Sequence, residues 1–208
     1  MDKNFIIGIP LRDFRDPMTR LSSDINLDAR INLMKHMFLN IVKSFQETNV
    51  EIFSITKDSS VIDYSKKIGI ESFISKSKGL SEEAIEFLNS NKKYKGWTIC
   101  HADLPYITKY YAKNWINECM NNEILICESK DSGTPLIGGK NYIESFHYGK
   151  NSYKKHTEML NNENINYKKV FHKELSFEVD DLEDYKQLVK NQPRWLRKIS
   201  NTSSPDRI

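Results

Sequence analysis

Short apolar runs rich in β-branched residues alternate with helix-periodic stripes along the first half of the chain, and few folds accommodate that rhythm. "FIIGI" (Phe5–Ile9), "VEIFSIT" (Val50–Thr56), "ESFI" (71–74) and "WTICHA" (97–102) are too short for helices and too apolar for loops. Between the first two, Leu27, Ile31, Met34, Phe38, Ile41 and Phe45 recur at steps of three and four residues, the stripe of a long amphipathic helix. "SSVIDYSKKIG" (59–69), closed by glycine, and "LSEEAIEFLNS" (80–90) predict two further helices. Strands alternating with helices imply an α/β fold with a mostly parallel sheet covered on both faces.

The rhythm holds to residue 127 and then changes. "TKYYAKNWINECMN" (108–121) reads as a helix and "EILIC" (123–127) as a strand, but Ser129–Tyr148 reads as strand and loop without a helix. "NSYKKHTEMLNNEN" (151–164) restores a helix, "YKKVFHK" (167–173) and "LSFEV" (175–179) read as strands, and "DLEDYKQLVKN" (181–191) as a last helix capped by Asp180 or Asp181. The expected organisation is one domain over residues 1–191, then a basic and polar tail, 192–208, partly disordered and carrying Arg194, Trp195, Arg197 and Lys198 into solvent.

Composition enters mainly by exclusion. With 38% hydrophobic and 28% charged residues the chain can bury a core, which removes the disordered class. A net charge of +3, from 31 basic and 28 acidic residues, is too balanced to indicate a nucleic-acid partner. Three cysteines without a C-x-x-C pair favour neither a disulfide framework nor structural zinc, and fit a reducing cytoplasm. No apolar stretch is long enough for a membrane span.

In a parallel α/β sheet, ligands sit outside the carboxyl ends of the strands. Three polar clusters fall there. "HADLP" (101–105) carries Asp103 past the end of an apolar strand, and "FEVDDLED" (177–184) carries Asp180. Either aspartate could simply cap a turn or helix. Together they could share one hard cation, since Mg²⁺ takes one or two carboxylates and completes its shell with water and substrate phosphates. The loop 10–26 places Arg12, Arg15 and Arg20 within nine residues, either a solvated surface or guanidinium forks for phosphate. "DSGTPLIGG" (131–139) is an ordinary hairpin loop or a glycine turn offering N–H groups to an anion. In "YGKNSYKKH" (148–156), Ser152 is a plain helix cap or part of an anion site. His36, His147 and His172 read as structural, Cys100 as a buried strand residue, and no nucleophile–base pairing stands out.

The order of these motifs resembles the 2-phospho-L-lactate guanylyltransferase family from Phe5 to Val189. The family's opening P-L-K … K-S-R-L-S stands here as "PLRDFRDPMTRLS"; "ITKD", "KGLSEEAIEF", "HADLP", "SGTP", "YGKNSYKKH" and "FEVDDLEDY" follow in the family's order. The resemblance implies a nucleotidyltransferase, GT-A-like, Rossmann-like three-layer fold. It implies transfer of a nucleoside monophosphate from an NTP, expected to be GTP, to the phosphate of a small phosphorylated acid of the 2-phospholactate, phosphoenolpyruvate or phosphoglycerate type, with release of pyrophosphate. By the same carry-over, Asp103 and Asp180 hold Mg²⁺ and act with Arg20 in catalysis. Pro10, Leu11, Arg12, Arg20, Thr56, Gly79, Leu80, Ser81, His101 and Ala102 bind the nucleotide, and Thr134, Gly149 and Ser152 bind the acid. A homodimer is compatible with this class; neither a nucleic acid nor a membrane is expected. Met18 replaces a family lysine, Arg12 another, Pro135 the asparagine of G-T-N, and Glu178 the first aspartate of D-V-D. Two rivals stay open: a glycosyltransferase of similar architecture, for which "EVD" (178–180) is a weak D-x-D, and a non-catalytic nucleotide-binding protein.

Overall fold

The computed structural model describes residues 3–200. Its strands are β1 (Phe5–Pro10), β2 (Glu51–Ile55), β3 (Glu71–Phe73), β4 (Gly96–Cys100), β5 (Ile124–Cys127), β6 (Leu136–Gly139) and β7 (Tyr167–Val170). They form one sheet in the order β3-β2-β1-β4-β6-β5-β7. β3, β2, β1 and β4 run parallel, β6 lies antiparallel between β4 and β5, and β7 pairs parallel with β5. The helices are α1 (Leu27–Gln46), α2 (Ser59–Lys67), α3 (Leu80–Ser90), α4 (Lys109–Asn121), α5 (Ser152–Asn162), α6 (Lys173–Ser176), α7 (Leu182–Lys190) and α8 (Arg194–Ser200).

The strand period of two separates two apolar layers. Phe5, Ile7 and Ile9 of β1 face the layer holding α1, α4 and α7, while Ile6 faces the layer holding α3 and α5. β5 divides likewise, Leu125 and Cys127 to the first and Ile124 and Ile126 to the second. The short, uninterrupted apolar runs of the strands therefore have their physical cause in the two helical layers. Gly8 lets α3 approach: a methyl there would lie 2.6 Å from the Phe87 ring, so Gly8→Ala overpacks the interface at a cost of about 1–3 kcal/mol. Each helix start follows local chemistry. Asn26 caps α1 by accepting the Ala29 N–H, and Asp58 caps α2 by accepting from Ser60 and Val61.

Two expectations are corrected. "LSFEV" is not a strand. Its first residues close the short helix α6 through Leu175 and Ser176 N–H bonds to His172 O, and the rest runs beside the end of β4 with the Val179 N–H donating to Asp103 O at 3.2 Å. The alternation of Leu175, Phe177 and Val179 was a true burial signal, since all three are buried, but no neighbouring strand completes a ladder. The solvated tail is also shorter than expected. α8 is helical, and Trp195 donates its indole N–H to Pro105 O at 2.8 Å and stacks on His36. The Lys198 side chain and residues 201–208 lie outside the described residues. No helix among the described residues is long and apolar enough to cross a membrane.

Candidate active site

The carboxyl ends of β1, β2 and β4 open onto a common crevice. A cleft of about 870 Å³ is lined by Pro10, Leu11, Arg12, Arg15, Thr56, Gly79 and Leu80, among others. An adjoining cavity of about 440 Å³ shares Pro10–Asp13 and Leu80 and reaches Met18, His101, Ala102 and Asp103. Nine of the ten expected nucleotide contacts thus border this crevice or its acidic end, where Arg20 pairs with Asp180 at 3.4 Å. Ser81 does not line either cavity; its hydroxyl accepts the Tyr148 N–H and ties the start of α3 to the loop before α5.

The first loop is held from beneath by an arginine that sequence patterning did not single out. Arg30, 5% exposed on α1, donates to the Asp16 carboxylate at 2.6 Å and to the carbonyls of Pro17 and Ile25. Met18 sits in a left-handed turn, φ 54°, just before the 3-10 turn Thr19–Leu21 that presents Arg20. Arg15 pairs with Asp13 and Asp58 along the larger cleft, whereas Met18 lines the adjoining cavity.

Asp103 and Asp180 are each brought beside Glu178, in two separate groups of donor atoms that share this carboxylate. One carboxylate oxygen of Glu178 lies within 4.8 Å of donor atoms of His101 and Asp103, and Glu178 also shares a group of that size with Asp131 and Asp180. Neither aspartate spends itself as the main cap: Asp181 caps α7 through a reciprocal capping box with Asp184, and Asp103 Oδ1 is buried with no hydrogen-bond partner. Burial pushes the Asp103 carboxyl up to about 7, and repulsion from Glu178 adds to the rise. Burial and Glu178 raise Asp180 as well, against the pull of Arg20. His101 donates from Nδ1 to Glu178 at 2.6 Å; burial works against its charge, but the Glu178 carboxylate overcomes that and raises it to about 9.

A buried carboxylate oxygen without a donor, beside two more carboxylates that repel it, is a site short of positive charge. That donor set is all oxygen, apart from an imidazole already engaged, and it fits a hard divalent cation. Glu178 is the residue that the sequence analysis undervalued. Its signal was the E-x-D spacing, which puts Glu178 and Asp180 on one side of an extended segment.

On the other side of Glu178 lie two of the residues expected to bind the acid, Thr134 and Ser152. A methyl at Gly133 would lie 3.5 Å from Glu178 Oε2, so the 131–134 turn abuts the acidic cluster. The Gly133 N–H is already used by Ser129 Oγ and Asp131 Oδ1, which removes the reading of this turn as a free anion nest. Thr134 and Ser152, both buried, bond to each other at 3.2 Å, and Thr134 Oγ1 lies 3.0 Å from His156 Nδ1. Ser152 is the first residue of α5 and not its cap, a position taken by Asn151 at φ 57°. Gly149 adopts φ +103°, a backbone that favours glycine, and opens onto free space.

Comparison with known proteins matches this geometry. Residues 5–207 match the family model described as "Guanylyl transferase CofC like". A 2-phospho-L-lactate guanylyltransferase of Methanosphaera stadtmanae is 27% identical over 192 residues, covering 87% of this chain and 82% of that protein. Among solved structures, a candidate nucleotide-diphospho-sugar transferase of Desulfovibrio desulfuricans G20 superposes with a TM-score of 0.82 at 14% identity, covering 96% of both chains. A cytidylyltransferase of Leptospira borgpetersenii gives 0.61 at 13% identity, covering 100% of this chain and 99% of its own. The structural likenesses speak to the fold; the family match, over nearly the whole length, assigns the chain to the CofC-like guanylyl transferase family and so to the nucleotidyltransferases.

Proposed function

We propose that the protein transfers GMP from GTP to the phosphate of a small phosphorylated hydroxy acid, with 2-phospho-L-lactate as the reference substrate, in the cytoplasm and with Mg²⁺. The observation that carries this reading is the unpartnered Asp103 carboxylate oxygen facing Glu178 at the inner end of the crevice. It supports a cation at the inner end of the nucleotide cleft, beside the turn that carries Thr134. Bound there by Asp103, Glu178 and Asp180, Mg²⁺ would neutralise phosphate charge.

The chain's own residues account for the rest. A phosphate monoester has its second pKa near ~6, so the attacking oxygen is anionic at neutral pH and no general base is needed. Of the two buried histidines nearby, His101 is held by Glu178 through Nδ1 and His156 is enclosed. The work left is alignment and charge compensation. The Pro10–Arg12 and Gly79–Leu80 segments clasp the nucleotide from two sides, and Arg20, exposed and tethered to Asp180, is free to turn toward the triphosphate. The acid lies against Thr134, Gly149 and Ser152, which points its phosphate at the α-phosphorus.

The test is a panel of four NTPs, each with 2-phospho-L-lactate, phosphoenolpyruvate or 3-phosphoglycerate, monitored for pyrophosphate. Release with GTP that requires one of the acids is the expected result. Melting shifts with nucleotide but no release under any combination would replace this reading with that of a binding protein.

A further inference from the structure

Thr134 and Ser152 carry two hydroxyls whose hydrogens could point either way, and one buried imidazole decides the matter. His156, fully buried on α5, accepts the His147 backbone N–H at Nε2, 2.9 Å away. A ring nitrogen that accepts carries no hydrogen, so a neutral His156 holds its hydrogen on Nδ1. Nδ1 lies 3.0 Å from Thr134 Oγ1, and Thr134 therefore cannot donate to it. Between them Thr134 and Ser152 own two hydroxyl hydrogens, and their mutual bond at 3.2 Å uses one. The second has no acceptor among the described residues.

We infer that His156 is a positioning residue that fixes the Thr134–Ser152 pair as a net hydrogen-bond donor toward the anionic end, carboxylate or phosphate, of the acceptor substrate. This rests on the reading that the pair holds the acid. An anion offers acceptors only, so a pair whose spare hydrogen went to the histidine would present lone pairs to it and repel it. The N-terminal amides of α5, which Ser152 begins, add partial positive charge on the same side. The arrangement does not titrate in the working range: burial, with His147 and His101 opposing further charge, drives His156 down to about 3.

The backbone sets the polarity, since it is a main-chain N–H, unable to reverse, that fixes the imidazole tautomer. Glu178 and the aspartates demand positive partners, while the neighbouring Thr134–Ser152 pair, joined to that cluster through Gly133, is read as facing negative charge. A permanently oriented donor separates the two without a second cation.

Two measurements test it. In the wild-type protein, ¹⁵N NMR of the imidazole should report the Nδ1–H tautomer for His156; the Nε2–H tautomer overturns the inference whatever the variants do. In steady-state kinetics with GTP and 2-phospho-L-lactate, His156→Gln keeps an acceptor for the His147 N–H but lacks the Nδ1 donor, whereas His156→Asn keeps a donor near Nδ1. The Gln variant should raise the KM for the acid by roughly tenfold or more, with the KM for GTP unchanged, and the Asn variant should lie closer to wild type. Equal acid KM values in the two variants, or a wild-type value in the Gln variant, count against the positioning role. Ser152→Ala separates the layers. If it leaves the acid KM unchanged, the placement of the acid is wrong; if it raises that KM while His156→Gln does not, only the role of His156 is wrong. Should the Gln variant fail to fold, the tautomer measured in the wild-type protein decides by itself.

Discussion

Around the ends of β1 and β2, the cleft is walled by side chains that water reaches freely: those of Arg12 and Arg15 are 97% and 78% exposed, and Arg20, at the acidic end, is 69% exposed. Across β4, beside β6 and β5, the polar groups are sealed in, with Thr134 and His156 at 0%, Ser152 at 2% and Glu178 at 8% exposed. The first region resembles a surface that a highly charged ligand will order. The second is preorganised, its hydrogen bonds made before anything binds, and an error there leaves a buried group unpaired. The contrast teaches where rate and where affinity should be sensitive. Losses on the buried side should strike the chemical step or one substrate sharply, and losses on the open side should be graded.

The largest expected effect lies at the junction. Asp103→Asn should lower kcat/KM for pyrophosphate release by on the order of 100-fold or more, because one electrostatic group of the transition state is lost. The same change should leave the melting temperature of the metal-free protein unchanged or higher. In the folded state burial and Glu178 raise this carboxyl to about 7, so stability falls as the pH rises from the unfolded value near 3.8 through that point and the full penalty persists above it, and a neutral amide removes the penalty. Near-normal turnover would detach Asp103 from the cation and erase the distinction between the two regions.

A smaller effect belongs to the open side. Arg20→Ala should raise the KM for GTP by about tenfold, the scale of one charge-assisted contact, with little change in the KM for the acid. Its bond to Asp180 is exposed and screened, so the melting temperature should stay where it is. A drop of several degrees would show that the first loop depends on Arg20, and not on the buried Arg30 beneath it.

The same division describes what was legible in the sequence. The parallel half could be read almost to the residue, because strand and helix periods report burial directly: the stripe from Leu27 to Phe45 became α1, and "WTIC" became β4. Asp103 was also legible, since strand topology sends it to the crevice, whereas Asp180 was expected there from a strand that the structure replaces with an extended segment. The buried half was not. Burial of Leu175, Phe177 and Val179 looks like a strand whether or not a neighbour supplies hydrogen bonds, and the sequence does not state the neighbour. Glu178 was hidden by its likeness to an ordinary surface acid, and His156 by a helical position whose partners, His147 and Thr134, lie on two separate loops. Arg30 carried the opposite mask: a charge on an amphipathic helix reads as solvated until a loop folds over it.

The smallest predicted effect sharpens the boundary on the open side, where the cleft's far wall is itself held by a buried-type bond. The Glu86 carboxylate accepts from the Ser75 hydroxyl at 2.5 Å and from the backbone N–H groups of Lys76 and Ser77. The Ser75 hydroxyl bond, first among these, holds the carboxyl down to about 2. Since the folded pKa is lowered, its contribution is complete above the usual carboxylate value of about 4.5 and fades as the pH falls toward 2. Glu86→Gln turns an NH₂ group against donors, loosening the segment that leads to Gly79 and the cleft. Amide exchange at Lys76 and Ser77 should quicken, and the KM for GTP should rise by about two- to threefold, a fraction of a hydrogen bond's worth, with the acid KM unmoved. A shift in the acid KM instead would mean that the two regions communicate through α3, whose Ser81 already bonds to Tyr148 on the acceptor side. The open cleft and the sealed pocket would then act as one mechanical unit.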